Sequence, residues 1–305
     1  MANRVESLSA SEGRSNVLEA KARRSVRLPW ALFIMYAILF IGLILAMLPF
    51  FWMLSASLMT YGETATRKLW PAVPQFSNYA EAWRQADFSK YFWNSVVITS
   101  ITMLGQLTTS ILAGYSFARI RFFGRDAIFA LMLSTIMVPA VVTMIPNFQL
   151  ISGRIAFIPL PGGSWLNTLQ GITVPYMVSV FSIFLLRQFF AQVPWELWDA
   201  ARIDGAGHLR FLGRIVLPIS KAPILTVLIF GFIASWNDFL WPLLITTKDT
   251  WRPLMVGLWT LQSEAGPETQ LIMAASVITI IPVLILYFMT QKEFTEGIAT
   301  SGLKG

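Results

Sequence analysis

The chain is 305 residues long, 55% hydrophobic and only 13% charged, with a mean hydropathy of +0.62, where soluble domains carry about 25% charged residues. It has no cysteine and one histidine, His208, which excludes disulfides, thiolate metal sites and Ser-His-Asp or Cys-His catalysis and leaves the redox compartment undetermined. A net charge of +7 fits nucleic-acid binding or, in so oily a chain, the record of membrane topology.

Residues 1–30 are polar, with six basic residues against three acids, and show no packed pattern. They read as a mobile cytoplasmic tail. No charge occurs from Leu28 to Gly62, and the apolar stretch 32–54 would make roughly 35 Å of helix. That is enough to cross a bilayer and too long for a signal-peptide core. A polar loop over residues 59–90, containing Pro71, Pro74, Asn78 and Tyr79, precedes a second span over 92–116, with Arg119, Arg121 and Arg125 directly after it. A third span starts at 127 and ends near Pro146, before the turn signal Pro159-Leu-Pro-Gly-Gly163. The fourth covers 166–186, the fifth 222–245 and the sixth 269–290. Between the fourth and fifth lies a charged loop over 187–221, and 291–305 remain as a short tail.

With the N-terminus inside, the cytoplasmic pieces hold 16 Lys and Arg in 90 residues and the outer pieces 7 in 77. This bias supports a multi-pass protein of the cell membrane with six helices and both termini cytoplasmic. It explains most of the basic excess without nucleic acid. The organisation predicted is therefore a tail over 1–30, a six-helix all-α membrane domain over 31–290 and a tail over 291–305. No internal repeat is visible, which weakens a reading as a carrier built from duplicated halves.

Pro49, Pro139, Pro175, Pro223 and Pro282 place a proline in or beside nearly every predicted helix. Membrane helices tolerate proline; equally, kinked helices could line a cavity that opens and closes. Asp238, in Trp236-Asn-Asp-Phe-Leu-Trp241, is the one acid well inside a predicted span. It should face protein or water. Either it makes a buried hydrogen bond that fixes helix packing, or Trp236, Asn237 and Asp238 lie on a solute path with Trp236 and Trp241 as stacking faces for a sugar ring. Trp241 also fits an interfacial aromatic belt.

The loop 187–221 carries the sharpest pattern. Pro194 suits a helix start. Glu196, Asp199 and Arg202 fall on one face, while Trp195, Trp198 and Ile203 offer an apolar side. Asp204-Gly205 supplies the stop, since glycine takes the left-handed C-cap conformation. A second short amphipathic segment, with Arg210 and Arg214 one turn apart, is closed by Pro218. Such a loop could lie on lipid headgroups, but the acids at 196, 199 and 204 would face anionic lipid. An apolar face with mixed charge is better suited to a cleft of another protein.

Asp199-Ala-Ala-Arg-Ile-Asp-Gly205, then nine residues, then Ile215-Val-Leu-Pro218 resembles the EAA loop of permease subunits of binding-protein-dependent ABC importers, with aspartate where glutamate is usual. Gly114-Tyr-Ser-Phe-Ala-Arg119, Leu166-Asn-Thr-Leu-Gln-Gly171, Trp236-Asn-Asp-Phe-Leu-Trp-Pro242 and the C-terminal Glu296-Gly-Ile-Ala-Thr-Ser-Gly-Leu-Lys-Gly305 are similar to the sugar-importer permeases, in particular the second, six-helix subunit of the maltose type. The resemblance covers most of residues 28–305.

It implies a permease with no active site of its own, paired with a homologous second permease, two ATP-binding cassette subunits and an extracellular solute-binding protein. It also implies that ATP and magnesium are bound by the partner subunits and no cofactor by this chain. Glu196, Asp199, Ala200, Ala201, Asp204, Gly205, Arg210 and Pro218 would form the coupling helix and its support in the ATPase cleft. The outer stretch containing Trp251, Arg252 and Leu254 resembles a loop that reaches into the binding protein, or is a plain surface connection. The C-terminal Ser301–Gly305 segment resembles a tail at the ATPase interface. A stand-alone, ion-driven carrier using Asp238 is the competing reading. A membrane enzyme is disfavoured by the lack of clustered intramembrane acids.

Overall fold

A computed structural model describes residues 30–85, 87–154, 160–264 and 268–302. The predicted N-terminal tail, Trp30 excepted, and residues 303–305 of the C-terminal tail lie outside them. All regular structure among the described residues is helical. The chain divides into two compact units, residues 1–53 and 54–305.

The described part of the first unit belongs to helix α1, Trp30–Ser57, which has Pro49 inside it and ends in the second unit. From Phe33 and Ile38 to Leu45 and Leu48 its apolar side chains are exposed. A helix apolar all round is made for lipid or for another membrane helix.

In the second unit α2 (Tyr61–Ala65) and α3 (Ser77–Gln85) replace the plain loop predicted before the second span. A capping box starts α2: Thr60 Oγ1 accepts from the Glu63 N–H, and the Glu63 carboxylate accepts from the Thr60 N–H. The same carboxylate accepts from the Ala72 N–H at 2.9 Å. These backbone donors hold the Glu63 carboxyl below the usual glutamate range.

Helix α4 runs unbroken over Phe88–Arg119 and is the axis of the unit. Its buried face is a ladder of small and polar residues, Asn94, Ser95, Thr99, Thr102 and Ser110, of the kind that lets membrane helices approach closely. Against it lie α8 (Val180–Gln192), α12 (Lys221–Trp236) and α14 (Leu254–Glu264). At the α4–α8 contact, a Cβ on Gly114 would meet Leu186 Cβ at 3.1 Å and the Arg187 nitrogen at 3.2 Å. A larger residue would push the two helices apart by a few tenths of an ångström.

Of the six predicted spans, the first, second and sixth appear as unbroken helices and the third and fourth as bent pairs. The unbroken ones lie in α1, in α4 and in the first part of α15 (Thr269–Gly302), and α15 continues well beyond residue 290. The predicted third span is broken: α5 (Arg125–Ser134) and a 3-10 turn, Thr135–Met137, meet α6 (Ala140–Ile151) at 104°. Pro139 is the cause, because the residue before a proline is driven to extended backbone, and Val138 has φ −82°, ψ 119°. The fourth bends by 42° between α7 (Leu169–Thr173), with a 3-10 turn containing Pro175, and α8.

The fifth span departs most from expectation. Instead of one helix over 222–245, α12 ends at Trp236 and α13 begins at Leu240 (Leu240–Ile245). The Asn237 side chain donates to the Ile233 carbonyl at 2.9 Å, and Pro242 has no N–H to offer the Asp238 carbonyl. The Phe239 and Trp241 N–H groups turn to the Asp238 carboxylate instead of continuing the ladder.

Candidate functional site

The charged loop folds as helix α9, Trp195–Ile203, then a short segment made of α10 (His208–Phe211), a π-helical turn (Leu212–Val216) and α11 (Leu217–Ile219). Pro194 stands at the N-cap, Glu196 in the first turn and Arg202 in the last, the charge order a helix dipole favours. Gly205 sits at φ +73°, the left-handed conformation predicted for the stop. Pro218 lies within the helical run, and the break falls two residues later at Ser220, ahead of α12 at 84° to this segment.

One side of α9 is bound to the chain's own core. Ala201, 5% exposed, joins Tyr115, Leu186, Phe190, Val193, Phe211 and Val216 in a cluster at the end of α4 and α8. Trp198 stacks on His208 with ring centroids 4.3 Å apart and meets Phe211 edge-on. The Tyr115 hydroxyl hydrogen-bonds His208 Nδ1 at 2.9 Å. Arg119, 5% exposed, donates through Nε to the Phe190 carbonyl at 3.0 Å and through its guanidinium to the Val193 carbonyl, with the Trp195 ring 4.5 Å away. Read from sequence as a topological charge, Arg119 is a buried tie between a membrane helix and the base of the loop. Nothing in its spacing announces this; only its place in Gly114-Tyr-Ser-Phe-Ala-Arg119 marks it.

The opposite side of α9 is open. Ile203 is exposed to 87%, Leu197 is exposed at the edge of the buried face one turn before Ala201, and Leu209 is exposed beyond the turn. Glu196, Asp199, Ala200, Asp204 and Arg210 surround them at the surface. The predicted set is thus split by the helix: Glu196, Asp199, Ala200, Asp204, Gly205 and Arg210 face out, whereas Ala201 faces in. Trp198, expected on an apolar docking side, also packs inward.

A second feature is a cavity of about 640 Å³ between α4, α6, α8 and the α12–α13 break. Asp238 and Asn237 line it, with Gln106, Ser179, Ser182 and Ser235 nearby on its wall. The Asp238 carboxylate stands beside the backbone N–H groups of Phe239 and Trp241 and forms no ion pair among the described residues. Trp236 is not part of this wall. It is 2% exposed, donates Nε1–H to the Thr279 carbonyl at 3.1 Å and stacks on Phe232. Trp241 is 1% exposed and donates to the Gly171 carbonyl. Neither ring presents a free face: Trp236 lies between Phe232 and Phe92, and Trp241, although it borders the cavity, is packed against Tyr176.

The outer stretch is also tied inward. Asn94 donates to the Thr250 and Arg252 carbonyls, and the Leu254 N–H donates to Ser95 Oγ at 2.7 Å. Arg252 pairs with Asp249 at 3.0 Å, Trp251 packs on the Ile98–Trp241 cluster, and Leu254 is fully buried. Leu254 is structural; the exposed residues are 247–250 just before it. Asn167, at φ 58°, pins them by accepting from the Thr247 and Lys248 N–H groups at 2.7 and 2.8 Å.

The profile described as "Binding-protein-dependent transport system inner membrane component" matches residues 106–292. The chain is 32% identical over 276 residues to the sn-glycerol-3-phosphate transport system permease protein of Yersinia enterocolitica, covering 87% of this chain and 95% of that protein. It is 30% identical to the lactose transport system permease protein of Rhizobium radiobacter (88% and 95% covered). With the arabinooligosaccharides transport system permease protein of Bacillus subtilis it shares 33% (77% and 81% covered). Its fold is similar to that in the crystal structure of a bacterial ABC transporter involved in the import of the acidic polysaccharide alginate, with a TM-score of 0.74 at 23% identity, over 86% of this chain and 95% of the other. The chain belongs to the family of inner membrane components of binding-protein-dependent transport systems.

Proposed function

We propose that this chain, a permease subunit of an ATP-driven importer, forms half of the pathway for a sugar or sugar-like solute, with α9 as its coupling helix. The observation that carries the proposal is the division of α9 into a face fastened to α4 and α8 and a face of exposed Glu196, Asp199, Ala200 and Ile203. A homologous second permease supplies the other half. Two ATP-binding subunits, holding ATP and magnesium, receive the two coupling helices from the cytoplasm, where both termini also lie. An extracellular solute-binding protein docks on the opposite side, near residues 247–250. The cargo names of the relatives support the sugar-like class.

ATP and the loaded binding protein both bind the outward-facing state better, and only that difference shifts the equilibrium. Closure of the ATPase pair presses on the open face of α9, and Arg119, Trp198 and Ala201 pass the displacement to α4 and α8. Hydrolysis resets the cycle. The test is Gly205→Asp, or deletion of residues 196–205, in the complete importer. Vanadate-sensitive uptake should vanish while the chain remains inserted and paired; wild-type uptake in either variant overturns the coupling role. Calorimetry on the partner binding protein would identify the solute.

A further inference from the structure

We infer that this chain's wall of the cavity accepts an uncharged, polyhydroxylated solute and turns away anionic ones, an inference that rests on the reading above of the cavity as the solute path. Among the described residues that line it there is no lysine, arginine or histidine, and there is one carboxylate, Asp238. A phosphate or uronate also carries hydroxyls, but it brings a negative charge to a wall that offers no cation and already holds a carboxylate. A sugar or polyol brings hydroxyl donors, and a carboxylate takes two of them from a vicinal diol in charge-assisted hydrogen bonds.

The rest of the polar wall has the same character. The Gln106 amide donates to Ser182 Oγ at 2.9 Å, and Ser182 Oγ donates to Ser179 Oγ at 3.0 Å. Ser179 Oγ also accepts from the Ser182 N–H at 3.2 Å. The relay thus ends on a hydroxyl that accepts twice and has no acceptor for its own proton among the described residues. Asn237 spends one amide N–H on the Ile233 carbonyl and keeps the other N–H and its carbonyl oxygen for partners from outside. Donors and acceptors alternating over a low-charge surface match hydroxyl groups, which are both. Phe181 and Phe230, set edge to face at 6.0 Å, supply the apolar side of the same wall.

The inference separates this chain from two of its similar proteins, whose named cargoes are anions: sn-glycerol 3-phosphate and the acidic polysaccharide alginate.

The test uses the absence of cysteine in this chain. Ala234→Cys places a thiol on the cavity wall one turn before Asp238. In the intact importer, with cysteines of the other subunits removed, the thiol is titrated at pH 8 with methanethiosulfonates carrying a neutral hydroxyethyl or an anionic sulfonatoethyl group. Each rate is divided by that of a free thiol in solution. The anionic reagent should be slowed relative to the neutral one by about fivefold, the scale of a single nearby like charge focused in a cleft, and Asp238→Asn should remove most of the difference. A panel of neutral di- and trisaccharides and polyols should include members that protect the thiol, and glycerol 3-phosphate at equal concentration should not.

Equal normalised rates, a difference unchanged in Asp238→Asn, protection by glycerol 3-phosphate, or no protection by any neutral sugar would each overturn the inference. ATP-driven, vanadate-sensitive uptake of the binding protein's own ligand is measured separately. Its loss in the Gly205→Asp variant tests coupling whatever the labelling shows.

Discussion

Ala200 and Ala201 stand side by side in the motif, yet Ala201 lies against Leu186, Phe190 and Phe211 and Ala200 lies at the surface. Ala201→Leu should therefore overpack a filled core at a cost of about 1–3 kcal/mol, seen as a lower unfolding temperature of the purified subunit pair. Ala200→Leu should leave stability within about 0.5 kcal/mol and instead weaken co-purification of the ATPase. Equal effects of the two would contradict the division of the helix. Glu63 gives a pH signature at the same scale. Its backbone hydrogen bonds hold its folded value below the ordinary 4.5, so its contribution is complete above about that pH and is lost as pH falls through the lower folded value. Melting temperatures measured between pH 6 and pH 3 should fall more steeply for the native chain than for Glu63→Gln.

Among the elements, the long apolar helices were legible because a charge-free run of bilayer length needs no partner to be recognised. α9 was legible for a different reason: proline, early acids, late arginine and Asp-Gly all act locally. The breaks were not. Pro139 and Pro242 were visible as residues, but proline in a membrane helix is compatible with a kink or with none, and the decision depends on whether neighbours supply the missing donors. Arg119 was misread as a surface charge because its two acceptors, at Phe190 and Val193, are over seventy residues away in sequence. Arg119→Ala strips two buried carbonyls of a charged donor and should cost about 2–4 kcal/mol, with ATP hydrolysis less well stimulated by the loaded binding protein. Arg119→Lys should recover only part, since an ammonium lacks the guanidinium's planar fork. Full recovery by lysine would mean that charge alone matters there.

For the whole molecule, charge bias alone sets the proposed orientation, with α9 inside and residues 247–250 outside. Because the chain has no cysteine, the orientation is open to direct measurement. Ile203→Cys should react with a membrane-impermeant maleimide in inside-out vesicles and be shielded when the ATPase subunits are bound. Lys248→Cys should react in right-side-out vesicles, and the reverse pattern would invert the topology. The cavity wall, by contrast, could not be composed from sequence: it draws on α4, α6, α8 and the α12–α13 break, and the two tryptophans predicted to serve it are consumed in packing.

The two-sidedness of α9 also bears on how importers acquire new partners. Residues that grip the chain's own helices and residues offered to the ATPase alternate along one short helix but do not touch the same surroundings. Exchanging only Glu196, Leu197, Asp199, Ala200, Ile203 and Asp204 for those of another permease is therefore a transplant of address without a change of lever. Such a chimera should fold and insert as before while answering to a foreign motor.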